Sequence, residues 1–283
     1  MGGRSAAFLI CKQLERKEAL VKRSIIIFIL LAFGFQINSY AQQNDLTHEN
    51  VYPGGITIDY GAGFFLVRDD FFSEEKYSGL LPYFKAGWSR FHGSKAFQLN
   101  LQYSSSSRIR NNDMSADIVL FSIEWDYLYP AGTFSLFSRK VYTYLGPYAN
   151  FYTYYNRLNF ANDGIFLDFS FAALISLGVH PMFIIPAGER LKLESSMQLN
   201  LFSVVIRMPE IEQVDNNGEE ESRLKLLTPY NGLNSQINIG VRYYPVKRLS
   251  LKLRYEFRLT RITAWEYLLA ANDNIIFSVA YHF

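Results

Sequence analysis

Cysteine is almost missing from this chain of 283 residues, because the single one, Cys11, lies near the N-terminus. A disulfide framework needs two cysteines, and a thiol nucleophile or Cys-ligated metal needs at least one in the mature protein. Histidine is also scarce, with four residues and no pair spaced i, i+2 or i, i+4 for metal binding. We therefore predict no cofactor and no metal site.

An excess of charge of one sign is lacking too, since 28 Lys and Arg face 26 Asp and Glu, for a net charge of +2. This balance gives no electrostatic surface for nucleic acid, and the basic stretch SSSSRIR (104–110) is too short to form one. No Gly-rich phosphate loop or Ser-nucleophile elbow occurs either. Nucleic acid is excluded as a predicted partner.

A hydrophobic run, SIIIFILLAFGF (24–35), follows a Lys-Arg pair and precedes a Ser-Tyr-Ala sequence that ends at Ala41. It is shorter than the roughly 20 apolar residues of a membrane-spanning helix. A charged start, an apolar centre and small residues at a cleavage site are typical of a secretory signal. We predict a signal peptide at 21–41, a mature domain at 42–283, and a mis-annotated upstream extension at 1–20.

Aromatic residues are abundant at 17%, and the mature part alternates between apolar and polar residues. Along 249–260, for example, every second residue is apolar and its neighbours are mostly charged. This period of two indicates strands, each long enough to cross a bilayer at a tilt with about 9–11 residues. The ten predicted strands are 55–67, 80–90, 95–105, 115–128, 140–155, 165–179, 190–206, 234–245, 249–262 and 274–283. Eight or twelve strands are the alternatives.

The predicted connections alternate in length along the chain. The compact turns are 91–94, a link containing Pro130, 180–189 and 245–248. The longer polar loops are 68–79, 106–114, 156–164, 207–233 and 263–273. Short turns on one side and long loops on the other are typical of an outer-membrane barrel, whose turns are periplasmic. An even number of strands places both termini at the periplasmic side.

The signal, the alternating strands and the last strand NIIFSVAYHF (274–283) resemble the outer-membrane β-barrel proteins of diderm bacteria. The resemblance implies an all-β fold, a single closed antiparallel barrel located in the outer membrane. It also implies contact with outer-membrane lipid and lipopolysaccharide, and with the barrel-assembly machinery and periplasmic chaperones during biogenesis. The implied assembly signal consists of Phe277, Val279, Tyr281 and Phe283.

Alternation also predicts which side chains face the lumen, since lipid selects the apolar face. The predicted lumen charges are Asp59, Lys85, Glu124, Asp126, Asp168, Lys192, Glu194, Arg242, Lys252, Arg254, Glu256 and Arg258. Acidic and basic residues balance, which favours a paired network, and ten strands leave little open space. A selective pore lined by these charges is the alternative. Trp88, Trp125 and Trp265 are predicted to lie in aromatic girdles.

Enzymes exist among barrels of this size, and the families concerned resemble one another in placing a catalytic His towards the cell exterior. Here His48, His92, His180 and His282 all map to the predicted periplasmic end. An outer-leaflet hydrolase would lack its base, so no enzyme is predicted. We predict a structural, adhesive or scaffold barrel. A narrow channel and an outer-leaflet enzyme with an unfamiliar site are the alternatives, and a soluble lipocalin-like barrel is the rival fold.

Overall fold

The computed structural model describes residues 54–70, 73–92, 95–111, 114–160, 166–208, 224–263 and 267–283. It describes only the backbone of residues 73–74, 91–92, 114, 158–160, 166–168 and 208. The described part of the chain consists of strands and turns, and it holds no helix long and apolar enough to cross a membrane. The predicted signal peptide and upstream extension lie outside the described residues.

Eleven strands follow one another along the chain. They are β1 (Gly55–Asp69), β2 (Ser73–His92), β3 (Lys95–Arg110), β4 (Met114–Leu136), β5 (Arg139–Phe160), β6 (Phe166–Pro186), β7 (Leu191–Met208), β8 (Leu224–Leu227), β9 (Gly232–Val246), β10 (Leu249–Ile262) and β11 (Leu268–His282). All of them pair in antiparallel fashion with neighbours in the same sheet.

Ten of these strands close into a barrel, because β1 pairs with β11 along its whole length and β6 pairs with β7. The eleventh, β8, is four residues long and pairs with β7 beyond the point where β9 leaves it. Closure satisfies the backbone of every barrel strand without leaving an edge in hydrocarbon. The predicted all-β, ten-stranded closed antiparallel barrel is confirmed.

The connections define two ends of the barrel. The turn end carries 137–138, 187–190 and 247–248, together with Gly54 and Phe283. At the opposite end, the loop end, β1 ends at Asp69, β3 at Arg110, β5 at Phe160, β7 at Met208 and β10 at Ile262. At the turn end the backbone N–H of Phe283 donates to the carbonyl oxygen of Gly54 at 3.4 Å.

Two predicted turns are wrong, because strands continue through them. Pro130 lies inside β4, and the link between β4 and β5 is the turn Phe137–Ser138. Proline is tolerated there because β4 pairs with β3 only as far as Leu128, so that it continues as an edge strand. The segment from His180 to Pro186 likewise continues β6.

Four of the five predicted long loops are also too long. The strands extend well into 68–79, 106–114, 156–164 and 263–273, and leave short links there. The extended parts carry polar residues such as Arg108 and Arg110 on one face, while Tyr77 and Ile109 on the other face are buried in the barrel interior. Their polarity therefore marks the end of the apolar outer wall and not the end of the strand. The predicted loop 207–233 holds β8, and its residues 209–223 lie outside the described chain.

The outer surface of the barrel is apolar, as the alternation requires for a lipid-facing wall. Ile58 and Tyr60 of β1, Leu253 of β10 and Phe277 of β11 are all about half exposed or more. Trp88 and Trp125 lie on the outer face and contact Phe97 edge-on, with ring centroids 5.4 and 6.1 Å apart. Trp265 lies outside the described residues. This surface contradicts the lipocalin-like alternative, whose outside should be polar.

The interior divides into two halves along the barrel axis. The half near the loop end is filled by an apolar core. It comprises Phe65, Val67, Tyr77, Leu81, Ile109, Ala116, Ile118, Leu120, Tyr152, Tyr154, Ala172, Leu174, Val205, Leu227, Ile262, Leu268 and Ala270. The half near the turn end is polar and charged, with a smaller apolar cluster of Ala96, Leu128, Tyr144, Met182 and Ile184 to one side.

The turn between β4 and β5 provides a first prediction. Phe137 and Ser138 have φ angles of 50° and 62°, the left-handed pair of a type I′ hairpin turn, which favours Asn-Gly. Phe137 is 91% exposed, so its replacement removes little packing. The double variant Phe137→Asn/Ser138→Gly is expected to raise the free energy of unfolding by about 1 kcal/mol. Urea titration should show this, with Ser138→Gly alone giving part of the gain; a loss of stability would contradict it.

Candidate functional site in the barrel interior

The centre of the charged half is the carboxylate of Glu124 on β4. Lys85 of β2 contacts it through Nζ at 2.6 Å from Oε2, and Arg258 of β10 binds its other oxygen. The Arg258 Nε also donates to Gln236 on β9 at 3.0 Å. Glu124 has no exposed side-chain surface. Because β2, β4 and β10 lie in different parts of the wall, this group crosses the lumen.

A second group surrounds Arg254. Its guanidinium lies 2.8 Å from Oδ2 of Asp59 and 3.4 Å from Oε2 of Glu256. It also donates to the Tyr83 hydroxyl at 2.9 Å, and that hydroxyl donates to Glu256 at 3.3 Å. Gln236 donates to the same Glu256 oxygen at 3.0 Å. The two groups are therefore joined through Gln236.

A third group is built on Glu194 of β7. Arg242 binds it with two N–H groups, Nε at 2.5 Å and Nη2 at 3.1 Å, and Lys252 Nζ lies 2.6 Å from Oε2. Arg242 continues through the Ser250 hydroxyl at 3.3 Å to His282 Nε2, which lies 2.8 Å from that hydroxyl. A two-pronged Arg–carboxylate contact is the strongest of these pairings.

A fourth group contains a histidine that the sequence placed in a turn. His180 lies within β6, inside the barrel, and its Nδ1 is 2.7 Å from Oδ1 of Asp126. Gln198 donates to both oxygens of that carboxylate at 3.3 and 3.4 Å. His180 therefore belongs to the turn half of the interior, as expected, but to its wall instead of to a connection. The side chains of His48 and His92 lie outside the described structure.

The structure brings most of the predicted lumen charges together in these four groups. Lys192 lies nearer the turn end, with Nζ 4.8 Å from the centroid of the Tyr244 ring. The side chain of Asp168 is not among those that the structure describes. The strand period of two is what carries these residues to one face, so their common placement follows from alternation.

Sequence reasoning missed three parts of the interior. It did not predict the uncharged partners Tyr83, Gln198 and Gln236, which alternate in phase with the charges and could have been found that way. It missed the ion pair between Asp69 and Arg207 near the loop end, because both were placed in loops. It also missed the apolar core of the loop half, for which the signal was runs of apolar residues on both faces, such as Phe64 to Val67.

The chemistry that these groups can perform is limited. The Asp126–His180 hydrogen bond could orient a catalytic base, but His180 Nε2 has no hydrogen-bond partner in the described part of the chain, so no hydroxyl nucleophile is attached to it. The described residues hold no group of three or more His, Cys, Asp or Glu side chains suited to a metal ion. The direct effect of these ion pairs and hydrogen bonds is to join opposite walls of the barrel.

The predicted assembly residues lie together on the outside of the last strand. Phe277, Val279, Tyr281 and Phe283 are all exposed on the outer face of β11 or just after it. Their alternate neighbours Ser278, Ala280 and His282 are buried on the inner face. This row is accessible to lipid and to other proteins, and its role in assembly stays a prediction.

No protein-family model matches the chain, and no curated protein sequence matches it. Solved structures with a similar shape include the outer membrane protease OmpT from Escherichia coli, at 10% identity and a TM-score of 0.42, over 82% of this chain and 97% of that chain. Another is the translocator domain of autotransporter NalP from Neisseria meningitidis, at 10% identity and 0.46, over 99% and 98%.

Neisserial surface protein A is similar at 15% identity and a TM-score of 0.34, over 81% of this chain and 97% of its own. Because all these scores lie below 0.5, we draw no argument from them. The location rests on the chain's own surfaces, which are a closed strand wall, an apolar outside and an ion-paired inside. These are the features of a bacterial outer-membrane β-barrel.

Proposed function

We propose that this barrel is a non-conducting outer-membrane protein of structural, adhesive or scaffold type. The observation that carries the proposal is the bridging of the lumen by side chains from opposite walls. Lys85 and Arg258 meet on Glu124 from β2 and β10, and Tyr148 of β5 donates to the carbonyl oxygen of Asn234 on β9 at 3.5 Å. A water-filled path through such an interior would have to break these contacts.

The apolar core of the loop half supports the same function. Tyr152 and Tyr154 fill it from β5, and Leu174 and Val205 fill it from β6 and β7, all with almost no exposed surface. Ions passing this layer would lose their hydration without finding charged partners, which is costly. A narrow channel therefore receives less support than a closed barrel, and an enzyme lacks a described nucleophile next to His180.

The test is single-channel recording after reconstitution of the folded protein into planar bilayers. We expect no stable conductance steps, because no continuous aqueous path crosses the apolar core. A general porin, inserted by the same procedure, serves as the positive control. Insertion is verified from the heat-dependent gel mobility of protein recovered from vesicles of the same lipid. Reproducible steps of one size would contradict the proposal and favour the channel.

A further inference from the structure

The turn half of the interior contains a chamber of about 80 Å³. Five strands contribute the side chains of interest to its wall: Asp59 from β1, Gln98 from β3, His180 from β6, Asn238 from β9 and Ser278 from β11. A single water needs roughly 10–15 Å³ of such space, so the chamber has room for on the order of five waters. It is too large to be a packing defect.

These five residues share a second property, which is independent of the chamber's size. Each has a buried side-chain atom with no hydrogen-bond partner in the described structure. The atoms are Asp59 Oδ1, Gln98 Nε2, His180 Nε2, Asn238 Oδ1 and Ser278 Oγ. A buried polar atom left unpaired costs about 1–3 kcal/mol. Five of them around one chamber point to an occupant that forms hydrogen bonds.

The nature of these atoms restricts the occupant's chemistry. Asp59 Oδ1 accepts hydrogen bonds, Ser278 can donate or accept, and the Gln98 and Asn238 amides offer both kinds of atom. The Asp126 carboxylate only accepts hydrogen bonds, so His180 Nδ1 carries a proton, and in the neutral imidazole Nε2 is then an acceptor. A hydroxyl group, which donates and accepts, matches this mixed set. An ammonium could only donate and a carboxylate could only accept.

The charges of the wall do not call for an ion, because most of them are already paired and the Asp126 carboxylate accepts hydrogen bonds from His180 and Gln198. The other oxygen of Asp59 binds Arg254, and Glu194 binds both Arg242 and Lys252. An ion in the chamber would therefore meet attraction and repulsion of similar size while losing its hydration. A neutral occupant avoids that cost.

The route of entry follows from what lies on either side of the chamber. Lys252 keeps 14% and Arg254 keeps 10% of their side-chain surface exposed, whereas Glu124 and Glu256, which lie deeper, keep none. Beyond them the apolar core fills the loop half. Because that core closes the loop half, the turn end is the side from which the chamber can be reached.

We propose that this chamber is a binding site for small neutral solutes bearing hydroxyl groups, which enter from the turn end of the barrel. The direction of entry rests on the closed lumen of the proposed function. The site itself rests on the chamber and its unpaired atoms. Water fills the chamber in the absence of such a solute, and a three-carbon polyol is of a size to replace it.

The test uses single cysteines in the full chain with Cys11→Ser, folded into vesicles. Ser278→Cys places a thiol in the chamber wall, and Thr57→Cys is a second chamber variant. Ser203→Cys is the matched control, because Ser203 is equally buried but bonds to Ser176 at 2.8 Å and does not line the chamber. We expect methanethiosulfonate to label the chamber thiols at least about tenfold faster than the control, since reaction requires access.

Glycerol is the ligand probe and sucrose, which is too large for the chamber, is its control. Near its dissociation constant, glycerol should slow chamber labelling about twofold by mass action, while sucrose at equal viscosity should not. Folding of each variant is verified by heat-dependent gel mobility. Chamber labelling no faster than the control, or equal effects of glycerol and sucrose, would overturn the proposal. Conductance of the unmodified barrel would instead overturn the closed lumen and leave the site standing.

Discussion

Glu124→Gln is expected to lower the free energy of unfolding by about 3–5 kcal/mol, the range for breaking a buried ion pair. The amide keeps the shape of the carboxylate, but it leaves Lys85 and Arg258 as buried cations without their shared anion. Both cations have almost no exposed surface, so water cannot replace the carboxylate. The measurement is the urea midpoint of the barrel folded into lipid vesicles, with heat-dependent gel mobility as a second readout.

Two further variants test whether the loss of stability comes from the two unpaired cations or from a general loss of packing. Glu189→Gln, at an exposed turn, changes the same chemical group and should alter stability by no more than about 0.5 kcal/mol. The triple variant Lys85→Met/Glu124→Leu/Arg258→Met removes all three charges and should recover most of the loss, because apolar replacement of a buried ionic group is often neutral or stabilising. A cost below about 1 kcal/mol for Glu124→Gln would show that water reaches this site.

Leu253→Arg is expected to cost about 2–4 kcal/mol, the range for a cation on the lipid face of a barrel. Leu253 is 58% exposed on the outer face of β10 and lines an apolar groove of about 550 Å³ there. Its neighbour Lys252 points inwards to Glu194, which keeps its two-pronged contact with Arg242 when Lys252 is changed. Lys252→Gln should therefore lower the free energy of unfolding much less than Leu253→Arg does, although it alters the adjacent position.

Leu251→Arg repeats that comparison at the next position of the same outer row, and it should lower the free energy of unfolding as much as Leu253→Arg does. All three variants are compared by urea titration in vesicles and again in detergent micelles, where the penalty for the outward cations should shrink because headgroups can reach them. Tolerance of both Arg variants in vesicles, with unfolding caused by Lys252→Gln, would mean that the outer row does not contact hydrocarbon.

Alternation was sufficient to predict the barrel and the faces of its strands. Lipid and lumen impose opposite polarity on neighbouring residues, so the sequence 249–260 contains its own orientation, and the structure places Leu253 outside and Arg254 inside accordingly. The number of strands followed from counting such segments. Their ends did not, because beyond the bilayer the outer face of a strand meets water, and the apolar residues that mark that face in the sequence give way to polar ones.

The partners inside the barrel could not be read from the sequence for a different reason. Which carboxylate meets which cation depends on the stagger of strands around the wall, and pairs such as Glu124 and Arg258 are far apart along the chain. Alternation predicts which face of the strand a residue occupies, but not its position along the barrel axis. The chamber beside His180 likewise depends on axial position, since five strands must present unpaired polar atoms at the same level of the barrel.

The seam between β1 and β11 has a consequence for the order of assembly. Every other contact of the wall joins strands that are consecutive or nearly so in the chain, and these can form as successive hairpins. The seam joins the two ends of the domain, yet loop entropy grows only logarithmically, so bringing them together costs only about 3–4 kcal/mol more than closing a short hairpin. Ladder pairs run from Gly55 opposite His282 to Asp69 opposite Leu268 and offset that cost. Closure therefore needs no driving force beyond this ladder once both edges exist.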